Sequence, residues 1–193
     1  MPPFCPKCGR PQASGIICPG CRQRQYEIDG IRSPFLFDDV MRKAIHQLKY
    51  QNLKAISSCL AEFLADYLTS SPLPGDALVP VPLHPKRLKE RGYNQSSLLA
   101  GQLGKVMKLP LLEGCLLRVK QAQAQVRAAS VEERWRNVID AFVCCGEEVR
   151  GKQVILIDDV CTSGATLESC AVALKSKGAI SVWGLTLARE IYK

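Results

Sequence analysis

The chain has 193 residues, of which 47% are hydrophobic and 23% charged, a composition that indicates a globular domain and excludes disordered and fibrous proteins. No apolar run reaches the roughly 18 residues of a membrane helix, and the first residues lack a secretory leader, so we expect a cytoplasmic protein without membrane insertion. The net charge of +8 is spread along the chain and favours phosphate-bearing partners, either small metabolites or nucleic acid.

The front of the chain contains two Cys-x-x-Cys pairs separated by nine residues. Two thiolate pairs on tight turns can complete a tetrahedral Zn²⁺ site with no open position, which is typical of structural zinc. We therefore predict a zinc ribbon over residues 1–30 and a second domain over residues 31–193. Free or disulfide-bonded thiols are the alternative. The four proposed ligands are Cys5, Cys8, Cys18 and Cys21. The cations around them, which serve either solubility or phosphate contacts, are Lys7, Arg10, Arg22 and Arg24.

Apolar residues recur at helical spacing over residues 36–69, which predicts two helices with a break near residue 51. A turn rich in proline and serine follows at 71–76. Residues 77–79 then predict a short buried strand, which the next proline stops because it cannot donate to a β-ladder.

Residues 84–95 form a basic stretch behind several prolines, and a helix is predicted from there to about residue 108. A rigid strand exit of this kind could present its cations to a diphosphate, and a solvated basic helix start is the alternative. Residues 110–119 can hold one short strand, whereas the polar residues 120–137 predict a mobile loop. The cations expected to contact diphosphate are Lys86, Arg87 and Arg91.

The clearest unit lies near the end of the chain. A continuous apolar strand at 153–157, a loop at 158–166, a helix at 167–177 and a strand at 180–188 follow one another, with a further strand candidate at 141–145. Uninterrupted apolar strands joined through a helix predict an α/β fold, with a parallel sheet flanked by helices on both faces.

Two adjacent acids, Asp158 and Asp159, stand at the carboxyl end of the predicted strand, where open α/β sheets bind their ligands. Diverging carboxylates can hold two neighbouring ribose hydroxyls or help to hold Mg²⁺. The segment that follows the acids contains a glycine, several hydroxyls and the predicted start of a helix. Such groups are typical of a site that binds phosphate. A solvated turn before a helix cap is the alternative. The predicted phosphate loop comprises Thr162, Ser163, Gly164, Ala165 and Thr166.

The segment from Asp158 to Thr166 resembles the signature for 5-phosphoribosyl-1-diphosphate (PRPP) in type I phosphoribosyltransferases. The resemblance implies that the paired acids are catalytic and hold the ribose hydroxyls, that the loop binds the 5′-phosphate, and that Mg²⁺ accompanies PRPP. It also implies glycosyl transfer with diphosphate as the leaving group. Cys161 is expected to pack in or line the site and not to act as a nucleophile.

The order of further motifs is similar to that of the competence protein F (ComF) family, amidophosphoribosyltransferase-like proteins linked to bacterial natural transformation. These motifs are the ribbon, a stretch from Asp38 or Asp39 through Tyr50, the segment Val79–Gln95, and Arg134 and Asn137 before Ala141 and Phe142. The resemblance implies a hood over PRPP at residues 120–137, where Gln123 and Gln125 compete for one family position.

Two functions follow from this resemblance. One is a phosphoribosyltransferase that binds PRPP and positions it for attack by an acceptor that no motif identifies. The other is a non-catalytic protein that handles single-stranded DNA with its ribbon, alongside the DNA-uptake machinery. Single-strand binders combine cations with stacking aromatics, and aromatic residues are only 6% of the chain, so the sequence supports the second function less.

Overall fold

The computed structural model describes residues 3–50, 55–120 and 140–191. Its main sheet contains the strands β1 (Gly30–Arg32), β2 (Phe35–Leu36), β3 (Ala77–Pro80), β6 (Gln153–Cys161) and β7 (Ser181–Arg189). All pairings in this sheet are parallel, in the order β1-β7-β6-β3, and β2 also pairs with β7. A separate antiparallel pair consists of β4 (Leu116–Arg118) and β5 (Phe142–Cys144).

Helices cover the sheet, and a single short one lies in the N-terminal segment. They are α1 (Pro19–Arg22), α2 (Asp39–Tyr50), α3 (Ile56–Ser70), α4 (Pro85–Arg91), α5 (Gln95–Met107) and α6 (Ala165–Lys175). Within the described ranges, none of them combines the length and the apolar character that a bilayer crossing requires.

The core consists of two apolar layers, one on each face of the sheet. Successive side chains of a strand point to opposite faces, so Val154 and Leu156 pack towards α6 and the β4–β5 pair. Ile155 and Ile157 pack towards α2, α3 and α5. Burial on both faces explains the uninterrupted apolar sequence of β6 and confirms the predicted α/β class with its parallel sheet.

Strand β6 is longer than its sequence predicts, which corrects the position of the paired acids. The ladder with β7 continues from the pair Asp158–Thr186 to the pair Cys161–Arg189. Asp158 and Asp159 are therefore residues of the strand and not of the loop after it, because β7 offers backbone partners along this whole length.

The basic stretch also differs from its prediction, since its first half is itself a helix, α4. His84 caps this helix by accepting a hydrogen bond at Nδ1 from the backbone N–H of Lys86, over 3.2 Å. Pro85 occupies the first helical position, where its missing N–H costs nothing. The cation cluster is thus carried on a rigid, solvated helix.

Strands β1 and β2 were not predicted, because they contain three and two residues and Ser33 and Pro34 separate them. They pair with β7 and form one edge of the sheet. Gly30 is required in β1, because a Cβ at this position would overlap the Trp183 ring.

The N-terminal segment is tied to the sheet domain through α6. The Glu168 carboxylate is 7% exposed and accepts hydrogen bonds from the backbone N–H groups of Glu27, over 2.8 Å, and Ile28, over 3.0 Å. The division of the chain at residue 30 stays a prediction, but its two sides are in direct contact.

We expect Glu168→Ala to lower the free energy of unfolding by roughly 1–3 kcal/mol, because it leaves the two backbone donors without their acceptor. Chemical denaturation measures this change. Glu62→Ala, an exposed position on α3, is the matched control and should change stability by less than about 0.5 kcal/mol. Equal effects of the two variants would contradict the anchoring role.

Candidate functional site

The paired acids form separate contacts at the carboxyl end of β6. Asp158 Oδ1 accepts hydrogen bonds from the Ser96 hydroxyl and from the backbone N–H of Asp159, each over 2.9 Å. Asp159 is 4% exposed, forms an ion pair with Lys49 of α2, and accepts the Val160 N–H over 2.9 Å. The two carboxylates are thus held by different helices, α5 and α2, and can contact two different hydroxyls.

The proximity of the Asp158 and Asp159 carboxylates also affects their ionisation. Burial, followed by the charge of Asp159, raises the pKa of Asp158 to about 7, while Lys49 and Ser96 act in the opposite direction. Two adjacent carboxylates out of water cannot both ionise at low cost. A cationic or hydrogen-bond-donating ligand would stabilise the ionised pair.

The predicted phosphate loop joins β6 to α6. Gly164 has φ +84° and immediately precedes α6, and the Ala165 N–H donates to the Ser163 hydroxyl over 3.4 Å. The hydroxyl residues of the loop are partly exposed, whereas Gly164 and Ala165 are buried. The loop therefore presents hydroxyls and a helix N-terminus beside the paired acids, as the sequence predicts.

We expect Gly164→Ala to cost roughly 1–3 kcal/mol of stability, the usual cost of a positive φ in a residue with a side chain, and also to disturb the loop. Its Cβ would lie 3.0 Å from Ile31 Cδ1. Gly151→Ala is the matched control, because Gly151 has φ +72° but open space around it. Denaturation should show a loss of stability in both variants, whereas PRPP titration should separate them: only Gly164→Ala should weaken binding, and equal affinities would contradict the assignment.

The three predicted diphosphate contacts lie on α4, which has no buried residue. Lys86 and Arg87 are exposed, and the Arg91 guanidinium donates to Gln95 Oε1. Arg118 of β4 joins this group: burial first, and then the Arg87 charge, lower the pKa of its guanidinium, while Asp158 raises it. Arg118 therefore links the basic helix electrostatically to the paired acids.

A cavity of about 760 Å³ adjoins this region, between the exit of β3, the start of α5 and β4. Pro82, Leu98 and Leu116 contribute apolar walls, and Asn94 and Arg118 contribute polar groups. Apolar walls with a few polar groups are typical of sites for small organic ligands.

The four N-terminal cysteines come together as predicted. Their Sγ atoms all lie within 4.8 Å of one another, and Cys8 Sγ is 3.9 Å from Cys18 Sγ. A zinc ion with Zn–S bonds of about 2.3 Å places its sulfurs about 3.8 Å apart, so the cluster fits a tetrahedral zinc.

None of the ten cysteines forms a disulfide. In the free cluster, the hydrogen bond from Cys21 lowers the pKa of Cys8 to about 4 and raises that of Cys21.

The cysteine cluster lies against the sheet edge next to the phosphate loop. The backbone N–H of Ile31 donates to the Lys7 carbonyl, and Arg32 Nη1 donates to the Pro6 carbonyl, each over 2.8 Å. Ile31 in turn packs on Gly164. One residue of β1 thus contacts both the first cysteine turn and the phosphate loop.

Cys161 is buried, and Arg189 Nη1 donates to its Sγ over 3.1 Å. Burial raises the pKa of this thiol. A buried, protonated thiol is a poor nucleophile, which agrees with the expectation that Cys161 packs in the site.

Several residues that contact or interact with the paired acids and Cys161 carry no signal in the sequence, and some of the predicted residues lie outside the described ranges. The missed residues are Lys49, Ser96, Arg118 and Arg189. Lys49 and Ser96 stood within or beside quoted motifs, but nothing local indicated which acid they would meet. The expected hood beyond residue 120 and the residues Gln123, Gln125, Arg134 and Asn137 are not among the described residues.

Comparisons with known proteins bear on this arrangement. The family model described as a phosphoribosyl transferase domain matches residues 97–190. The chain is 32% identical to the competence protein ComFC of Bacillus subtilis over 97% of this chain and 78% of that protein. It is also 32% identical to competence protein F of Haemophilus influenzae, over 96% of this chain and 85% of that one.

A solved structure supports the fold. Glutamine phosphoribosylpyrophosphate amidotransferase from B. subtilis, complexed with ADP and GMP, matches 73% of this chain with a TM-score of 0.50 and 19% identity. The match spans 30% of that longer chain, so it concerns the shared fold alone. The two sequence relatives are matched over 78% and 85% of their own length, and they show the family: the chain belongs to the competence protein F (ComF) family and contains its phosphoribosyltransferase domain.

Proposed function

We propose that the chain binds PRPP with Mg²⁺ at the carboxyl end of β6 and transfers its phosphoribosyl group to an acceptor. The observation that supports this most directly is the pair Asp158 and Asp159, set by Ser96 and Lys49 beside a hydroxyl-rich loop and the start of α6. A diol clamp next to a phosphate cradle has the layout of ribose 5-phosphate.

In this proposal the protein acts mainly by positioning and electrostatic stabilisation. The carboxylates of Asp158 and Asp159 accept hydrogen bonds from the two ribose hydroxyls, and their negative charge stabilises an oxocarbenium-like anomeric carbon. The loop at 162–166 holds the 5′-phosphate with hydroxyls and backbone N–H groups. The cations of α4, together with Arg118, would contact the departing diphosphate, and the electrostatic interaction of Arg118 with both Arg87 and Asp158 supports this role.

The residues present also fit Mg²⁺, because the candidate donors at this end of the sheet are oxygen atoms of carboxylates and hydroxyls, which magnesium prefers. When bound, Mg²⁺ supplies positive charge to the diphosphate oxygens. Asp158 and Asp159 are the residues that would hold it, either directly or through water.

Calorimetric titration with PRPP tests the binding step. We expect heat and saturation at one PRPP per chain in the presence of Mg²⁺, and weaker binding in EDTA. A screen of acceptors for diphosphate release then tests transfer. PRPP binding without release from any acceptor would leave a binding protein, and no titration heat with Mg²⁺ present would contradict the proposal as a whole.

A second function is favoured by the names of the relatives, which are competence proteins in B. subtilis and H. influenzae and DNA utilization proteins in Escherichia coli. We propose that this chain also serves DNA uptake in natural transformation, in contact with single-stranded DNA and the uptake machinery, in the cytoplasm. The net charge of +8 favours binding to a phosphate backbone. The arginines of residues 1–30, called here the cysteine segment, add to this charge at the front of the chain.

If the chain binds single-stranded DNA, the logarithm of its affinity should fall linearly with the logarithm of salt concentration, with a slope of about −0.7 per phosphate neutralised. Fluorescence anisotropy with a labelled oligonucleotide measures this slope. Arg22→Gln in α1 should reduce it, whereas Gln47→Ala in α2, which removes no charge, should not. Absence of binding at low salt would contradict the DNA role and leave the enzyme proposal unaffected.

A further inference from the structure

A second cavity, of about 250 Å³, lies between the cysteine segment and the phosphate loop. Its cationic lining consists of Arg10, Arg24 and Arg189, and the phosphate loop contributes Ser163. Three cysteines also line it, and no acidic residue is among its described lining residues. Of the phosphate loop, only Ser163 lines this cavity, so the cavity adjoins the cradle at the start of α6 and extends away from it towards the cysteine segment.

Arg189 is the unusual member of this lining. It is 2% exposed at the end of β7, and its Nε atom is buried without a hydrogen-bond partner. Its Nη1 atom donates to the thiol of Cys161, which is a weak acceptor. Among the described residues, no carboxylate forms an ion pair with it. A buried guanidinium is normally paired, because removing an uncompensated charge from water is costly.

With zinc bound, the cysteine cluster would compensate only part of the positive charge of the three arginines that line this cavity. Four thiolates around Zn²⁺ would carry a net charge of −2, and Arg189 lies close enough to Cys8 to interact with it electrostatically. Arg10 and Arg24 add two more positive charges to the same cavity. The lining therefore remains positive with zinc bound, and in the structure the buried Nε–H of Arg189 has no acceptor.

We propose that this cavity is an anion site for a phosphate group, in addition to the site for the 5′-phosphate of PRPP. Arg189 is the buried anchor, and Arg10 and Arg24 neutralise the remaining charge of the phosphate. Guanidinium groups bind phosphate through geometrically matched hydrogen bonds. The site goes beyond the proposed function, because it holds a second phosphate next to the first.

The test follows the Nε–H signal of Arg189 by ¹H–¹⁵N NMR in the full chain as purified with its metal. The signal is assigned by its loss in Arg189→Lys. Inorganic phosphate is titrated first into the free protein and then into protein saturated with PRPP and Mg²⁺. We expect phosphate to shift the signal in both titrations, because the two sites are separate.

Charge variants on the exposed side of the cavity avoid the risk that changes at the buried Arg189 prevent folding. Arg10→Gln combined with Arg24→Gln should raise the phosphate dissociation constant about tenfold or more, the effect of losing one hydrogen bond to a charged group. Arg150→Gln is the matched control, since Arg150 is an exposed arginine that lies in no proposed binding site and does not line the cavity. It should leave the constant unchanged.

Two results would overturn the inference. An Arg189 signal that never responds to phosphate would mean that the arginine serves only the cysteine cluster. A response that PRPP abolishes would mean that the cavity and the loop form one site. If PRPP fails to bind while phosphate still shifts Arg189, the anion site stands and the proposed function does not.

Discussion

Asparagine in place of both Asp158 and Asp159 should lower the affinity for PRPP by at least about a hundredfold, because hydrogen bonds to charged groups contribute roughly 1.5–3 kcal/mol each. The amides keep the size of the side chains but remove the charge that fixes ribose hydroxyls and supports Mg²⁺. Calorimetry with PRPP and Mg²⁺ measures the loss. Asp66→Asn, on the exposed face of α3, is the matched control and should bind like the unmodified chain.

The single variants separate lost binding from lost structure. The raised pKa of Asp158 means that the folded chain holds a proton which the unfolded chain releases, so this group reduces stability as pH rises from about 4 to about 7. Asp158→Asn removes that penalty and should be more stable than the unmodified chain above pH 7. Asp159→Asn should be less stable, because it removes the ionic partner of the partly buried Lys49.

These stabilities are read from denaturation curves at pH 5 and pH 8. A folded Asp158→Asn protein that still binds PRPP with unchanged affinity would contradict the role of this carboxylate. Loss of binding together with loss of the fold in both single variants would give no support to a ribose clamp and would point to a structural role for the pair.

Purified without chelators, the chain should contain one zinc per molecule, bound by four thiolates whose sulfurs already lie within 4.8 Å of one another. Zinc binding contributes about 10–16 kcal/mol to the folding of short zinc domains. Cys8→Ser should therefore abolish tight zinc binding and unfold the cysteine segment locally. Elemental analysis measures the metal, and limited proteolysis should show cleavage near the front of the chain with the sheet domain intact.

Cys59→Ser provides the control, because Cys59 is an exposed thiol on α3, remote in sequence from the cluster. It should keep one zinc and the proteolytic pattern of the unmodified chain. A zinc content well below one in the unmodified protein would refute the site. Because Ile31 contacts both the first cysteine turn and Gly164, we also expect Cys8→Ser to weaken PRPP binding to a smaller extent than changes at the paired acids.

Sequence patterns are sufficient to predict the fold class and to nominate the residues of both candidate sites. The continuous apolar run of β6 requires burial on two faces, which only a parallel sheet covered by helices provides. The spacing of the four cysteines and the order of acids, hydroxyls and glycine in the segment 158–166 are local properties. Local properties of this kind are readable from one stretch of chain. The structure brings the four cysteines together and places the segment 158–166 at the end of β6 and the start of α6, whereas the ligand of that segment stays a prediction.

The residues that hold these groups in place are found from the three-dimensional structure and not from sequence patterns. Ser96 meets Asp158 across 62 positions of sequence, and Arg189 meets Cys161 across 28. Such pairings depend on which strands neighbour each other and where the helices begin, and a serine or arginine carries no local signal of its partner. The same holds for β1, whose three residues are a strand only because β7 supplies the ladder, and which brings the cysteine segment against the phosphate loop.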